Sequence, residues 1–122
     1  MMQSNGHNSG KLAYNDIIVL GDGAKSCVLK VCDISSIEVT GGNYMSVKKT
    51  DGESVTTRGS LARCEKRLPW QFFRASRQQM INLADVSKAN LSFRKIILIM
   101  RGGDSVSLSR IQSKLFRKQY CF

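Results

Sequence analysis

The chain has 122 residues, 42% of them apolar and only one a proline, which fits a single globular domain and excludes a disordered or low-complexity chain. Its longest apolar run, Ile96 to Met100, is far short of the roughly 20 residues of a spanning helix, so no membrane partner is expected. Up to Leu61 there are 6 Lys/Arg against 6 Asp/Glu and from Ala62 onward 13 against 3, so the net charge of +10 lies in the second half and points to a polyanionic partner.

Residues 1–13 are polar and rich in Gly, Asn and Ser, which predicts a flexible tail ahead of one domain over 14–122. They show no charged-then-apolar leader, so a cytoplasmic location is expected. Ile17 to Leu20, a turn at Gly21-Asp22-Gly23 and Cys27 to Cys32 read as a first hairpin. Ile37 to Thr40 and Tyr44 to Thr50 flank a Gly41-Gly42-Asn43 corner, and after Asp51-Gly52 a further strand runs through Thr57. Ser60 can cap a helix of about two turns carrying Leu61, Cys64 and Leu68, which Pro69 stops. Phe72-Phe73 and Met80 to Val86 read as short extended segments, with Trp70, Phe72 and Phe73 as core or loop anchors. Phe93 to Met100 reads as a longer strand buried on both faces at its end, turned back by Gly102-Gly103-Asp104 into Ser105 to Leu108. Ser109 then caps a last helix with Ile111 and Leu115 at i,i+4 spacing and Arg117 and Lys118 at its negative end. The fold class expected is mainly β with two short helices.

Catalytic signals are missing from this pattern. The one histidine, His7, lies in the tail, and no pair of the 9 carboxylates has acid–base spacing. Cys27, Cys32, Cys64 and Cys121 form no C-x-x-C pair, so neither a zinc site nor a disulfide framework is expected. Cys27 and Cys32 stand in apolar stretches and read as core, Cys64 as one face of a helix, and Cys121 as an exposed terminal thiol. The glycine-rich turns lack the lysine and helix of a phosphate-binding loop. No catalytic residue, metal or cofactor is expected, and the chain reads as a binding module.

Three segments carry chemistry suited to such binding. Arg74-Ala75-Ser76-Arg77-Gln78 holds two arginines between apolar flanks. In Ser107-Leu108-Ser109-Arg110 an arginine follows a helix-capping serine, where backbone N–H groups and a guanidinium can grip a phosphate, or the guanidinium can reach a guanine edge. The corner Gly42-Asn43-Tyr44 supplies amide and aromatic contacts, and Lys114 on the last helix is placed for a phosphate. Three polar tips on a β scaffold make a discontinuous reading surface.

The order Asp33-Ile34, Ile37-Glu38, Gly42-Asn43-Tyr44, Thr50-Asp51-Gly52, Ser60-Leu61, Leu68-Pro69, Phe73-Arg74, Arg77, Ile81-Asn82 and Val106 to Arg110 resembles the LytTR-type DNA-binding domain of bacterial response regulators, over about Ile17 to Lys118. The resemblance implies an elongated arrangement of three antiparallel sheets with two short helices, whose loops enter successive major grooves of double-stranded DNA. It further implies transcriptional regulation in a two-component system, imperfect direct repeats as sites, and a homodimer on DNA. The family's central loop usually reads His-Arg-Ser-Tyr; Ser76 to Gln79 occupies it here and keeps only the arginine, Arg77. Arg110 matches the arginine at the start of the family's last helix, and Tyr44 its aromatic or histidine position. Asn82 matches a position that supports the loop through backbone hydrogen bonds. Such regulators usually carry a receiver domain answering to a sensor kinase; about 16 residues precede the first strand, so the expectation is either a stand-alone regulator or a piece of a longer chain with that domain elsewhere. The rival readings are a basic module docking an acidic protein or nucleic acid without sequence preference, and a single-stranded RNA binder, for which exposed strand aromatics are not evident.

Overall fold

The computed structural model describes residues 10–21, 23, 26–92 and 94–121. Period-2 alternation builds ten strands among them: β1 (Ile17–Leu20), β2 (Cys27–Lys30), β3 (Ile34–Gly41), β4 (Tyr44–Lys49), β5 (Ser54–Arg58), β6 (Phe72–Ser76), β7 (Gln79–Asn82), β8 (Val86–Asn90), β9 (Ile97–Met100) and β10 (Ser105–Ser107). Two helices, α1 (Leu61–Arg67) and α2 (Arg110–Tyr120), follow β5 and β10. The strands form three antiparallel sheets: β1-β2, β5-β4-β3-β7-β6 and β10-β9-β8. This is the mainly β, three-sheet, two-helix architecture expected.

The five-stranded sheet is the middle layer. Its alternating residues feed two separate cores, as adjacent pairs show: Phe72 and Met80 pack with Ile18, Leu20, Ile37, Leu61 and Leu68 on one side, whereas Phe73 and Ile81 pack with Ile96, Leu98, Met100 and Leu108 on the other. A one-residue slip of β7 would exchange Met80 and Ile81 between the cores, so its register is fixed from both faces. Both helices start as their caps predict. Ser60 Oγ accepts from Arg63 N at 3.3 Å and Ser109 Oγ from Gln112 N at 3.1 Å.

Several local expectations give way to tertiary packing. The strand predicted over Cys27 to Cys32 ends at Lys30, because Val31–Asp33 turn into a 3-10 helix that buries Val31. Cys27 and Cys32 are only partly buried; the core thiol is Cys64, whose burial pushes its pKa up to about 11 and leaves it a small hydrophobe rather than a nucleophile. Cys121, expected exposed, is half-buried. The extended segment predicted from Met80 to Val86 breaks at Leu83–Asp85, where Asn82 Oδ1 accepts from Ala84 N at 3.0 Å and starts another 3-10 turn. The fully buried Asn82 also donates Nδ2 to Tyr14 OH at 2.8 Å and to the Ile34 carbonyl at 2.9 Å. It therefore does not support the reading loop as expected, because it stands at the far end of β7 and holds Tyr14, Ile34 and the Leu83–Asp85 turn instead.

The strand expected from Phe93 begins only at Ile97, with Phe93 outside the described residues, and it is not buried on both faces. Leu98 and Met100 turn inward while Ile97 and Ile99 are half-buried, since the three-stranded sheet has a core on one side alone. Trp70 is not a core anchor but 70% exposed. On α2 the inward face is Ser113 and Phe116 rather than the predicted Ile111 and Leu115; Ile111 is 76% exposed. Ser113 Oγ accepts from Ile96 N at 2.9 Å, and Phe116 meets Phe73 edge-on at 5.6 Å, which together set the helix rotation. Of the tail expected over 1–13, residues 1–9 lie outside the described residues. Leu12 N donates to the Arg67 carbonyl at 2.8 Å and Lys11 Nζ to the Leu68 carbonyl at 3.2 Å, so residues 11–12 dock on the end of α1.

Candidate nucleic-acid interface

Register places the three predicted tips at one end of the central sheet. β3 pairs antiparallel with β7 through Ile37↔Met80 and Glu38↔Gln79, so the end of β3 lies beside the start of β7. The β3–β4 turn, Gly42-Asn43, and the β6–β7 turn, Arg77-Gln78, therefore leave the sheet at the same end. Two strand spacings separate them laterally, about 10 Å. Val39 N donates to the Gln78 carbonyl at 2.9 Å, level with the second turn. The first turn starts three residues beyond Val39, which projects it about 10 Å further out. The third tip joins beyond β6, where Ser109 N donates to the Ala75 carbonyl at 3.2 Å and Gln112 Nε2 donates to the Arg74 carbonyl. Asn43, Arg77 and Arg110 are thus arrayed in a staggered row, all exposed.

The β6–β7 turn is clamped by its own residues. Arg74 is half-buried, and its guanidinium donates to the Ser76 carbonyl at 3.0 Å, the Arg77 carbonyl at 2.9 Å and Glu65 Oε1 at 3.0 Å. Ser76 Oγ accepts from Gln78 N at 3.2 Å, which closes the turn locally. Arg74 and Ser76 thereby hold the loop, while the side chains of Arg77 and Gln78 point to solvent with no hydrogen bond or ion pair to other described residues.

The β3–β4 corner is held more lightly. Gly42 takes φ +56°, and Gly59 N donates to the Asn43 carbonyl at 2.8 Å. Tyr44 lies opposite Arg58 in the β4–β5 register, and the Arg58 guanidinium sits 5.8 Å from the Tyr44 ring centroid. That cation–π pair fixes the ring while leaving it 46% exposed. At the third tip Ser109 is spent on the helix cap, and Arg110 and Lys114 are exposed on the first turns of α2.

Arg58 and Gln112 were not among the residues singled out from sequence. Counting the β4–β5 register outward from the Asp51-Gly52 turn would have set Arg58 against Tyr44, whereas the Gln112 contact joins α2 to β6 across the tertiary structure and left no local signal. Among the described residues no group of His, Cys, Asp and Glu could hold a metal ion, and no helix is long and apolar enough to cross a membrane.

Comparison with known proteins identifies the family and matches the fold. The family model described as the LytTr DNA-binding domain matches residues 24–120. Among solved structures, the LytTr DNA-binding domain of a putative methyl-accepting/DNA response regulator from Bacillus cereus superposes with a TM-score of 0.73 at 20% identity, covering 87% of this chain and 97% of that one. No curated protein sequence matches the chain significantly.

Proposed function

The chain belongs to the LytTR family of DNA-binding domains, and from that premise we propose that it is a sequence-specific regulator that reads double-stranded DNA with the three tips described above. The observation carrying this reading is the staggered row of Asn43, Arg77 and Arg110 at one end of the central sheet, with the latter two guanidiniums uncommitted inside the protein. An uncommitted guanidinium on an ordered turn can meet guanine O6 and N7 bidentately, the commonest base-specific contact. The two hairpin turns, staggered by about 10 Å in each direction, suit a surface whose grooves curve past them, and major grooves are about 12 Å wide.

Roles divide by what each side chain already does. Arg77 and Arg110 read bases, with Asn43, Tyr44 and Gln78 beside them. Arg74, Ser76 and Ser109 act through the backbone they hold in place. Lys114 meets phosphate, and the basic second half supplies the salt-dependent grip. Two copies on a direct repeat would bury both sets of tips, so binding to a two-site duplex should be cooperative. Control by a receiver domain and its sensor kinase belongs to the same reading.

Fluorescence anisotropy on a pool-selected duplex and on a scrambled one, across a salt series, tests it. Arg77→Ala should weaken the selected duplex by about 1–3 kcal/mol and leave scrambled DNA nearly unchanged. Steep and equal salt dependence on both duplexes, with no selective loss in the variant, would reduce the protein to a polyanion-binding basic face.

A further inference from the structure

On the α1 side of the central sheet lies a cleft of about 490 Å³, bounded by Ile17 and Val19 of β1, Met45 of β4, and Arg58, Arg63 and Arg67 around α1. Its wall at β1 is an unpaired strand edge. Val31 N donates to the Asp16 carbonyl at 2.8 Å, and the register then runs Ile17↔Lys30, Ile18↔Leu29, Val19↔Val28. Bonded and non-bonded pairs alternate in an antiparallel ladder, so Asp16, Ile18 and Leu20 turn their backbone groups to β2. The N–H and C=O of Ile17 and Val19 consequently point the other way, where β1 has no neighbouring strand among the described residues. The side chains of Ile17 and Val19 are each 60% exposed, and Val28, opposite Val19, is 64% exposed, a run of apolar surface on a short edge. Open edges of this kind are usually covered or charged.

Among the described residues, the charged side chains lining the cleft are three arginines and no carboxylate. The nearby Glu65 is paired with Arg74. The Arg63 guanidinium has no ion pair or hydrogen bond to the described residues, that of Arg58 has only the Tyr44 ring, and Arg67 gives Nη1 to the Gly10 carbonyl at 2.6 Å. Backbone donors and acceptors at strand spacing, an apolar strip and flanking guanidiniums define the chemistry of an occupant. It must be extended, carry alternate apolar side chains, and bear carboxylates.

We propose that this cleft docks an acidic, extended segment of a partner protein, which adds as a strand along β1 while its carboxylates meet Arg58, Arg63 and Arg67. Main-chain bonds to Ile17 and Val19 supply the affinity, and the arginines select for acidic sequence. The site is distinct in chemistry from the DNA-reading tips, since it uses backbone groups of β1 that a duplex cannot engage as a strand does.

The test is a two-dimensional amide NMR titration of the whole chain with a synthetic heptapeptide of alternating glutamate and valine. A second peptide of the same sequence carries N-methyl groups on alternate residues. The expected result is perturbation of the Ile17 and Val19 amides by the plain peptide, with about tenfold weaker binding of the methylated one, whose lost hydrogen bonds are the ladder itself. Val19→Pro removes one outward N–H at an edge that tolerates proline, so it should weaken the plain peptide similarly while preserving the spectrum and the DNA affinity. Arg63→Gln should weaken it too, and Arg77→Ala should not. Equal binding of the two peptides, perturbations confined to the tips, or displacement of the peptide by duplex DNA with a matching loss of DNA affinity in Arg63→Gln would overturn the proposal. In the last case the arginines would belong to the DNA surface.

Discussion

The two hairpin turns at the reading end of the central sheet, Gly42-Asn43 and Arg77-Gln78, have the same length and each follows a register shift in the preceding strand. They are built by opposite means. Arg77-Gln78 is held by side chains, with Arg74 giving it two donors and Ser76 one acceptor while a third Arg74 donor goes to Glu65. Gly42-Asn43 is held by backbone geometry, a left-handed glycine and one amide from Gly59, with Arg58 over Tyr44 as a side-chain brace. The difference teaches that a turn can present a reading residue either by committing a neighbouring charge to the main chain or by choosing a residue without a Cβ. The first kind is sensitive to distant side-chain changes, the second to its own φ.

Removing the clamp should have the largest effect. Arg74→Met keeps the stem and deletes the guanidinium, which should cost about 2 kcal/mol from lost charge-assisted hydrogen bonds in a half-exposed setting. Amide exchange at Arg77 and Gln78 should accelerate in that variant while exchange at Asn43 stays as it was. If both turns loosen alike, the proposed independence of the two is wrong. The glycine comes next. A Cβ at Gly42 would meet no heavy atom within 4 Å, so any cost of substitution there is backbone strain alone. Gly42→Ala should destabilise by about 1 kcal/mol in thermal or denaturant unfolding, whereas Gly42→Asn, which tolerates the left-handed region, should cost a small part of that. Equal losses from Ala and Asn would point to a steric cause instead. Smallest is the brace: a double-mutant cycle of Arg58→Ala and Tyr44→Leu should return a coupling of about 0.5 kcal/mol, and a coupling of zero would make the ring contact incidental.

The caps and turns were readable because their physics is local. Ser60 and Ser109 lie one residue ahead of helical runs and accept the amides they are placed to accept. The corner Gly41-Gly42-Asn43 and the turn Gly102-Gly103 announce chain reversal through residues that tolerate it. Arg77 and Arg110 stood out as cations beside turn or cap residues, and both are exposed at tips. Arg74 looked equivalent to Arg77 in sequence, and only the fold separates them. One arginine is aimed back along its own hairpin by the bulge between Arg74 and Ser76, and the other is left in solvent.

Helix rotation and strand burial were the places where periodicity misled. Ile111 and Leu115 have correct spacing for a core face, yet Ser113 and Phe116 take it because α2 is pinned at Ala75 and Ile96 before its apolar residues can choose a side. β9 reads as doubly buried because an apolar run cannot say how many layers will cover it. By itself, then, the order of residues determined most of the elements, though not β8 or the 3-10 turns at Val31–Asp33 and Leu83–Asp85, together with their caps, the corners and the cationic character of the second half, since each depends on neighbours within a few positions. Tertiary structure alone decided that one sheet would separate two cores, that three distant tips would meet at one end of it, and which arginines would be left free. Those outcomes depend on pairings such as Ile37 with Met80, which join residues far apart in the chain and have no signature at either place.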